Sequence, residues 1–293
     1  MQDKAHKRKK TIETEKLNCI NDNNVAILIP SFDGYQDLWK PFFHCLFKYW
    51  PDCPYPVYLG SNFQTHEDPR VKPVKIGPDR DYSSNLIAML SEIPHEWVII
   101  MIEDILLSSP VHTNRVTRTV AEGGAHHAGL LQLLPRRFDP IVEFAAHPIS
   151  KELSELPIGL PYRATINLGL WRKNVLLKLL NPGESAWEFE YQGTKRTFML
   201  KDRFLCMSRK YIADPLFIYV HGIIKRKWAF PAPKFLQREG LWESSDKNRP
   251  VQSFFSHLYS EGYTVLRYFV FWIVYKLWGI QGIRSLVSIK AKS

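Results

Sequence analysis

Two adjacent carboxylates, Glu103 and Asp104, are the residues of this sequence best suited to do chemistry. They follow residues 97–102, the most apolar strand-like run in the chain. A buried or half-buried carboxylate needs a cation or hydrogen bonds to offset its desolvation. Mg²⁺ and Mn²⁺ take oxygen ligands from one or two carboxylates together with a diphosphate. The pair therefore predicts a divalent-cation site, and a solvent-facing or helix-capping pair is the alternative.

A second group of carboxylates follows Gly183. Glu184 and Glu188 share one face of a helix, whereas Glu190 points elsewhere. A carboxylate at a helix start can accept a proton from a hydroxyl as a general base. The alternative is an acidic first turn that the helix dipole stabilises. Trp187 suits either a sugar-stacking surface or the core.

His221 and a basic cluster lie close together later in the chain. His221 ends a short apolar run, and a neutral imidazole is a good ligand for Mn²⁺. Lys225, Arg226 and Lys227 can neutralise a leaving anion. A structural histidine and a solvated basic turn are the respective alternatives.

Composition limits the class of protein. The 293 residues are 45% hydrophobic and 13% aromatic, which suits one large domain or two small ones and argues against global disorder. A net charge of +10 implies an anionic partner. That charge is dispersed, and no RNA-binding or helix-turn-helix signature accompanies it, so nucleic acid is disfavoured. The sequence lacks the Walker loop, the dinucleotide glycine fingerprint and the serine nucleophile elbow, which disfavours a kinase, dehydrogenase or serine hydrolase.

The elements that must position these residues alternate between strand and helix. Uninterrupted apolar strands alternating with helices favour an α/β sheet covered on both faces. In open sheets of this kind ligands bind at the carboxyl ends of the strands, where the pattern places Asp33 and Glu103. The predicted strands are 25–29, 56–59, 71–76, 97–102, 130–134, 165–171 and 218–220, and the predicted helices are 37–49, 83–93, 113–120, 172–180 and one from about Glu184.

The two ends of the chain differ from the middle. Residues 1–22 are polar and lysine-rich, which indicates a basic flexible arm, and no apolar run of a secretory signal follows. Residues 263–280 are nearly all apolar and aromatic but include Arg267 and Lys276. That pattern is short for a membrane span and favours a helix at the membrane interface, with packing on the core or a true span as alternatives. We expect a cytoplasmic protein, peripheral at the inner face of the membrane.

Several segments together resemble GT-A-type nucleotide-sugar glycosyltransferases. The segment from Asp81 through Leu107, with a helix, then residues 96–102 and then Glu103-Asp104, resembles the acidic metal-binding motif of that family, although the motif reads Glu-Asp-Ile and not Asp-any-Asp. Residues 25–31 are similar to its first strand and nucleotide-binding loop. Residues 164–190 resemble a segment of uncharacterised bacterial surface-polysaccharide transferases. The resemblance covers about residues 24–230.

This resemblance implies a fold and a reaction. It implies a GT-A-like, Rossmann-related mixed sheet flanked by helices over residues 23–235, with residues 236–293 as a helical, membrane-associating extension. The implied reaction moves a sugar from a nucleotide-sugar donor to a hydroxyl of a polysaccharide or lipid-linked glycan, with inversion. The cofactor would be Mn²⁺ or Mg²⁺. A non-catalytic membrane-associated protein with a degenerate transferase fold and a nucleic-acid-binding protein are the alternatives.

The resemblance also implies roles for individual residues. Asp104, and with it Glu103 and His221, would bind the metal ion. Glu184, or else Glu188, would be the base. The donor nucleotide and its phosphates would contact the remaining candidates, which are Ser31, Asp33, Arg80, Asp81, Arg163, Lys225 and Lys227.

Overall fold

A computed structural model describes residues 20, 22–134, 146–208, 211, 213–242 and 249–290. At positions 260–261, 267–268, 280 and 283–290 it describes the backbone alone. The predicted basic arm, residues 1–22, lies outside the described residues except at Ile20 and Asp22.

Nine strands of the described residues form one mixed sheet in the order β3-β2-β1-β4-β9-β6-β10-β8-β7. Strands β1 to β4 are parallel to one another, and β9 runs antiparallel to both β4 and β6. The predicted α/β class with a mixed sheet is therefore confirmed. The strand bounds are β1 Val25–Pro30, β2 Val57–Ser61, β3 Val71–Lys75, β4 Trp97–Ile100, β6 Ala128–Gln132, β7 His147–Pro148, β8 Leu153–Glu155, β9 Gly169–Arg172 and β10 Arg203–Met207.

Two short antiparallel pairs lie outside the main sheet. Strand β5, Ile105–Leu107, pairs with β11, Tyr219–His221. Strands β12, Ile223–Ile224, and β13, Lys227–Trp228, form a hairpin. The predicted strand at 218–220 is thus present, but it pairs with the segment that follows the acidic pair.

Helices cover both faces of the sheet. The side chains of β1 alternate between two buried clusters, with Ile27 in one and Leu28 in the other, because successive residues of a strand face opposite sides. The helices α1 and α3 pack on the first face, and α2 and α4 on the second. The helix bounds are α1 Gln36–Tyr49, α2 Tyr82–Glu92, α3 Thr113–Ala125, α4 Lys173–Leu179, α5 Ala186–Glu188, α6 Thr194–Arg196, α7 Ala232–Arg238 and α8 Phe254–Lys290.

The helix boundaries differ from expectation at two functional places. Helix α2 begins at Tyr82, and its cap is Asp81, whose side chain accepts a hydrogen bond from the backbone N–H of Ser84. Helix α5 begins after Ser185, two residues later than expected. Glu184 therefore precedes the helix and does not lie in its first turn.

The C-terminal helix α8 is longer than predicted and is interrupted at Gly279, where φ is +62°. One side packs on the body of the protein through Phe271, with Val274 and Tyr275 beside it. No described helix is long and apolar enough to cross a membrane. The other side exposes a run of large apolar side chains, which are Phe254, Phe255, Leu258, Tyr259, Tyr263, Val265, Leu266, Phe269, Val270, Ile273, Leu277 and Trp278.

Candidate active site

The candidate site lies where the strand order reverses between β1 and β4. In open α/β sheets, ligands bind at this switch point, outside the carboxyl ends of the strands. Ser31 follows β1, and Glu103 follows β4. The Ser31 hydroxyl donates a hydrogen bond to Glu103 Oε1 at 2.8 Å, and it accepts one from Trp39 Nε1 at 2.8 Å. The two segments that the sequence placed at this edge are therefore in direct contact.

Both carboxyl groups of the acidic pair are costly to ionise. Burial raises the pKa of Glu103 to about 7, the charge of Asp104 adds to this, and the Ser31 hydrogen bond opposes it. Burial also raises the pKa of Asp104 to about 6. Asp104 Oδ1 is buried and has no hydrogen-bond partner. A nearby cation would offset the cost of charging both groups.

The residues present fit a hard divalent ion in part. Two carboxylates with one unpartnered buried oxygen match the protein's share of a site in which a diphosphate supplies further oxygens. Among the described residues no three His, Cys, Asp or Glu side chains converge on one metal position. His221 is exposed, pairs with Ile105 across the short sheet, and packs edge-on against Tyr219 at 5.1 Å. Its role as a third ligand stays a prediction.

Arg249 is a site residue that the sequence did not reveal. Its guanidinium donates to Asp37 on α1 through Nε at 2.5 Å and Nη2 at 2.8 Å. Its charge also lowers the pKa of Glu103, in opposition to burial. Arg249 lies far from Glu103 along the chain and in no recognisable motif, so only the fold brings the two together.

A cavity of about 200 Å³ opens beside Ser31. One wall is polar, where Asn85 Nδ2 donates to Asp79 Oδ1 at 2.6 Å and Asn85 Oδ1 accepts from the backbone N–H of Arg80 at 3.3 Å. The opposite wall is apolar. Such a mixture suits a flat heterocycle with polar edges. The cavity is lined by Pro30, Ser31, Phe32, Asp79, Arg80, Tyr82, Asn85, Leu86 and Met89.

The carboxylates of Asp33 and Asp81 already have protein donors. Asp33 accepts hydrogen bonds from the backbone N–H groups of Asn62, Phe63 and Gln64 at 3.0 to 3.3 Å, which fastens the loop after β1 to the loop after β2. The cap hydrogen bond from Ser84 lowers the pKa of Asp81. Both residues are next in sequence to residues that line the cavity, and direct contact with a nucleotide stays a prediction for each.

Arg163 lies in the interior, and its predicted role stays untested. We expected it to contact phosphate, but its side chain is buried. Nε donates to the Leu156 carbonyl at 3.1 Å, Nη1 donates to the Thr197 carbonyl at 3.3 Å, and the guanidinium lies 4.2 Å from the Phe204 ring centre. Burial lowers the pKa of Arg163 to about 10. It holds the core of the second half together.

Glu184 and Glu188 both have protein partners, and their predicted role as the base stays untested. Both carboxylate oxygens of Glu184 accept from the guanidinium of Arg196, at 2.8 and 2.5 Å. Glu188 forms a capping box with Ser185, accepting from its backbone N–H at 2.8 Å and its hydroxyl at 2.7 Å. The hydrogen bonds from Ser185 lower the pKa of Glu188, which makes it a weaker proton acceptor. Trp187, between them, is 77% exposed and is not a core residue.

The basic cluster forms the tip of the β12–β13 hairpin. Lys225 and Arg226 have φ of +50° and +65°, and they and Lys227 are exposed. The hairpin starts beside the acidic pair, because the Gly222 N–H donates to the Asp104 carbonyl at 2.6 Å. This proximity is compatible with the predicted contact to a diphosphate.

Three buried polar atoms without hydrogen-bond partners surround the site. They are Asp104 Oδ1, the Tyr82 hydroxyl and Asn167 Oδ1. Buried polar atoms in native proteins are nearly always satisfied, so each such exception calls for a ligand, a water molecule or another explanation. The sequence did not single out Tyr82 or Asn167, because an isolated Tyr or Asn gives no signal of burial.

No family model matches this chain, and no curated protein matches it. Solved structures do match. TarS 1–349 from S. aureus has a TM-score of 0.44 and 14% identity, covering 67% of this chain and 59% of that one. The same fragment in complex with UDP-GlcNAc has a TM-score of 0.40 and 12% identity, covering 58% and 53%. Mannosyltransferase PcManGT from Pyrobaculum calidifontis, in complex with GDP-Man and Mn²⁺, has a TM-score of 0.47 and 14% identity, covering 92% and 75%.

This chain spans 59% of the length of the TarS fragment. At such identities the likeness concerns the fold alone. The function is therefore argued from the geometry of the site.

Proposed function

We propose that this protein is a metal-dependent glycosyltransferase that moves a sugar from a nucleotide-sugar donor to a hydroxyl of a polysaccharide or lipid-linked glycan, with inversion. The observation that carries the proposal is the buried acidic pair at the switch point of the sheet, with its unpartnered Asp104 oxygen. A buried pair of this kind, beside a cavity of mixed polarity, suits a cation that bridges to a diphosphate.

The donor's parts are assigned to three neighbouring features. The nucleoside occupies the cavity beside Ser31, between the Asp79–Asn85 wall and the apolar wall. Glu103 and Asp104 would hold Mn²⁺ or Mg²⁺, which when bound stabilises the negative charge of the leaving diphosphate. Lys225 and Lys227 lie on the hairpin joined to the Asp104 backbone and add positive charge on that side.

The chain's own residues prepare this site before the donor arrives. Trp39 orients the Ser31 hydroxyl, and Ser31 in turn holds Glu103. Arg249 adds a positive charge that favours the ionised form of Glu103. The loops after β1 and β2 are fastened by Asp33. Such fixed dipoles and charges need not reorganise during the reaction, which is how preorganised sites lower a barrier.

The acceptor is proposed to be presented at a membrane surface. The apolar face of α8 is exposed, with Phe255 at 80% and Tyr259 at 74%. A helix with aromatic and aliphatic side chains on one face suits the headgroup layer of a bilayer, and a net charge of +10 favours anionic lipids. We place the protein at the cytoplasmic face of that membrane.

Thermal unfolding with a nucleotide panel tests the donor site. The panel holds UDP, GDP, dTDP, CDP and CMP, each with Mn²⁺ or with EDTA, on the wild type and on Asp104→Asn. A ligand at 100 times its Kd stabilises the fold by about 2.7 kcal/mol, a shift of several degrees. We expect one nucleoside diphosphate to stabilise the wild type with Mn²⁺ and to have no such effect on Asp104→Asn.

Glu67→Gln is the control, because Glu67 is an exposed acid away from the site. The unfolding temperature of Glu67→Gln should rise with nucleotide and Mn²⁺ by as much as that of the wild type. If no nucleotide raises the unfolding temperature with or without metal, the donor site is refuted. Salt-sensitive binding to duplex DNA in the same preparation would favour a nucleic-acid-binding protein instead.

A further inference from the structure

Glu190 faces a different part of the molecule from the two carboxylates considered above. It lies in a π-helical stretch, Phe189–Gly193, and such stretches are frequent at functional sites. Its Oε1 accepts a hydrogen bond from the Thr165 hydroxyl at 2.6 Å and from the Ile166 N–H at 3.2 Å. Glu190 is thereby directed toward the loop that precedes β9.

That loop lies at the same edge of the sheet as the acidic pair. Because β9 runs antiparallel to β4, its first residue, Gly169, lies opposite Ile100, the last residue of β4. Tyr82 lies close enough to both carboxylates for their charges to act on it. Burial raises the pKa of the Tyr82 hydroxyl, and the charges of Glu190 and Glu103 both raise it further. Glu190 and Glu103 therefore flank one polar space.

Independent observations indicate that this space receives a ligand. The Tyr82 hydroxyl and Asn167 Oδ1 are buried and lack hydrogen-bond partners. Leu168 adopts φ of +41°, a left-handed conformation that a branched side chain rarely takes. Backbone strain of this kind persists where the surrounding structure enforces it, and it is concentrated in functional loops.

We propose that Glu190 is the general base that takes the proton from the attacking hydroxyl, in place of Glu184 or Glu188. This inference rests on the proposed function. In the step, the acceptor O–H bond breaks and its proton moves to the Glu190 carboxylate. The acceptor oxygen forms a bond to the anomeric carbon, while the bond from that carbon to the phosphate oxygen breaks and its electron pair leaves with the diphosphate.

The contacts of the three carboxylates explain this choice. Arg196 neutralises the charge of Glu184 through two hydrogen bonds, and the capping box holds Glu188 on the exposed side of its helix. Glu190 is half-buried at the edge where the donor's leaving group is placed, and Thr165 and Ile166 are among its hydrogen-bond donors. Thr165 and Ile166 orient the carboxylate and do not themselves react.

Release of nucleoside diphosphate to water tests the assignment, because a base beside the donor also activates water. The donors are UDP-GlcNAc, UDP-glucose and GDP-mannose with Mn²⁺. Glu190→Gln should release nucleotide at least about 100-fold more slowly than the wild type, the usual range for a lost general base. Glu188→Gln is the matched control two residues away, because glutamine also completes a capping box. It should stay within about threefold of the wild type.

Two further measurements separate a base from a structural residue. Glu190→Gln should keep the wild-type unfolding temperature and the wild-type shift with Mn²⁺ and nucleoside diphosphate. Formate should restore part of the rate of Glu190→Ala, since a small carboxylate can replace the missing base. The assignment would be overturned if Glu190→Gln released nucleotide at the wild-type rate, or if formate failed to restore any rate to Glu190→Ala. It would also be overturned if the wild type bound the donor but released no nucleoside diphosphate from it. Loss of donor binding by the wild type itself would instead refute the proposed function.

Discussion

At the scale of single residues, the acidic pair sets the properties of the site. Glu103 and Asp104 are both buried near one another, with Arg249 as the cation that acts on Glu103. Removing a carboxylate from water without a counter-charge costs free energy of folding. The acidic pair therefore lowers the stability of the metal-free protein, as residues of binding sites commonly do.

Glu103→Gln should stabilise the metal-free protein at high pH. The folded-state pKa of Glu103 is raised from 4.5 to about 7, so the folded state binds more protons than the unfolded state between these values. The contribution of Glu103 to the free energy of unfolding therefore falls as pH rises from about 4.5 to 7. The variant, which cannot ionise, should exceed the wild type at pH 8 by on the order of 2 kcal/mol and should equal it at pH 4.

Urea unfolding in EDTA at both pH values measures this difference. Glu67→Gln, at an exposed position, should show no such dependence on pH. A Glu103→Gln variant that is less stable than the wild type at pH 8 would contradict the raised pKa. It would mean that the ionised carboxylate is already well compensated in the metal-free protein.

At the scale of elements, the direction of the antiparallel strand β9 determines which loop lies beside the acidic pair. It enters the sheet between two strands that it opposes, β4 and β6. Because of this reversal, the loop before β9 emerges at the edge where β1 and β4 end. If β9 were parallel to β4, the loop after β9, and not the loop before it, would lie at this edge. The reversal is what brings Glu190 to the side of the acidic pair.

The β12–β13 hairpin gives a second prediction at this scale. A two-residue hairpin loop with positive φ at both positions favours Asn-Gly, yet Lys225 and Arg226 occupy it. Replacing them by Asn-Gly should stabilise the fold by about 1 kcal/mol, because the left-handed conformation is costly for other residues. The same change removes two cations and should reduce the thermal shift caused by nucleoside diphosphate.

Lys227→Gln separates charge from backbone strain, since Lys227 lies in β13, outside the strained turn. Lys227→Gln should reduce the rise in unfolding temperature that nucleoside diphosphate causes, without raising the unfolding temperature of the ligand-free protein. If neither variant changes the nucleotide shift, the basic residues form a solvated turn, the alternative considered from the sequence.

At the scale of the whole molecule, the exposed apolar face of α8 is the largest feature that the fold leaves uncovered. Soluble monomers rarely expose a continuous apolar surface of this extent without a partner. Co-sedimentation with vesicles should detect the protein on phosphatidylcholine containing phosphatidylglycerol. Binding should weaken as salt concentration rises and should be lower on phosphatidylcholine alone.

The double variant Leu258→Ser/Leu266→Ser should lose most of this binding, because both side chains are exposed on the apolar face. Ser256→Ala, an exposed substitution on the same helix, is the control. Wild-type binding by the double variant would remove α8 from the role. A stable dimer in light scattering that the double variant breaks would assign the face to a second copy of the chain.

The amino-acid sequence by itself determined the sheet's class and the edge at which the chemistry lies. An apolar run such as residues 97–102 is typical of a buried strand, and a carboxylate pair that follows it is expected near the strand's end. Ser31 and Glu103 therefore could be placed at one edge before any contact was known. These inferences succeed because they depend on local periodicity.

The tertiary structure alone decided which partner each polar side chain has. Glu184 meets Arg196, Arg163 is buried on Phe204, and Arg249 reaches the acidic pair. Such pairings join residues far apart in the chain, and their cost or benefit depends on burial, which local sequence does not specify. The choice among three carboxylates between residues 184 and 190 therefore required the fold, because each has a different set of donors.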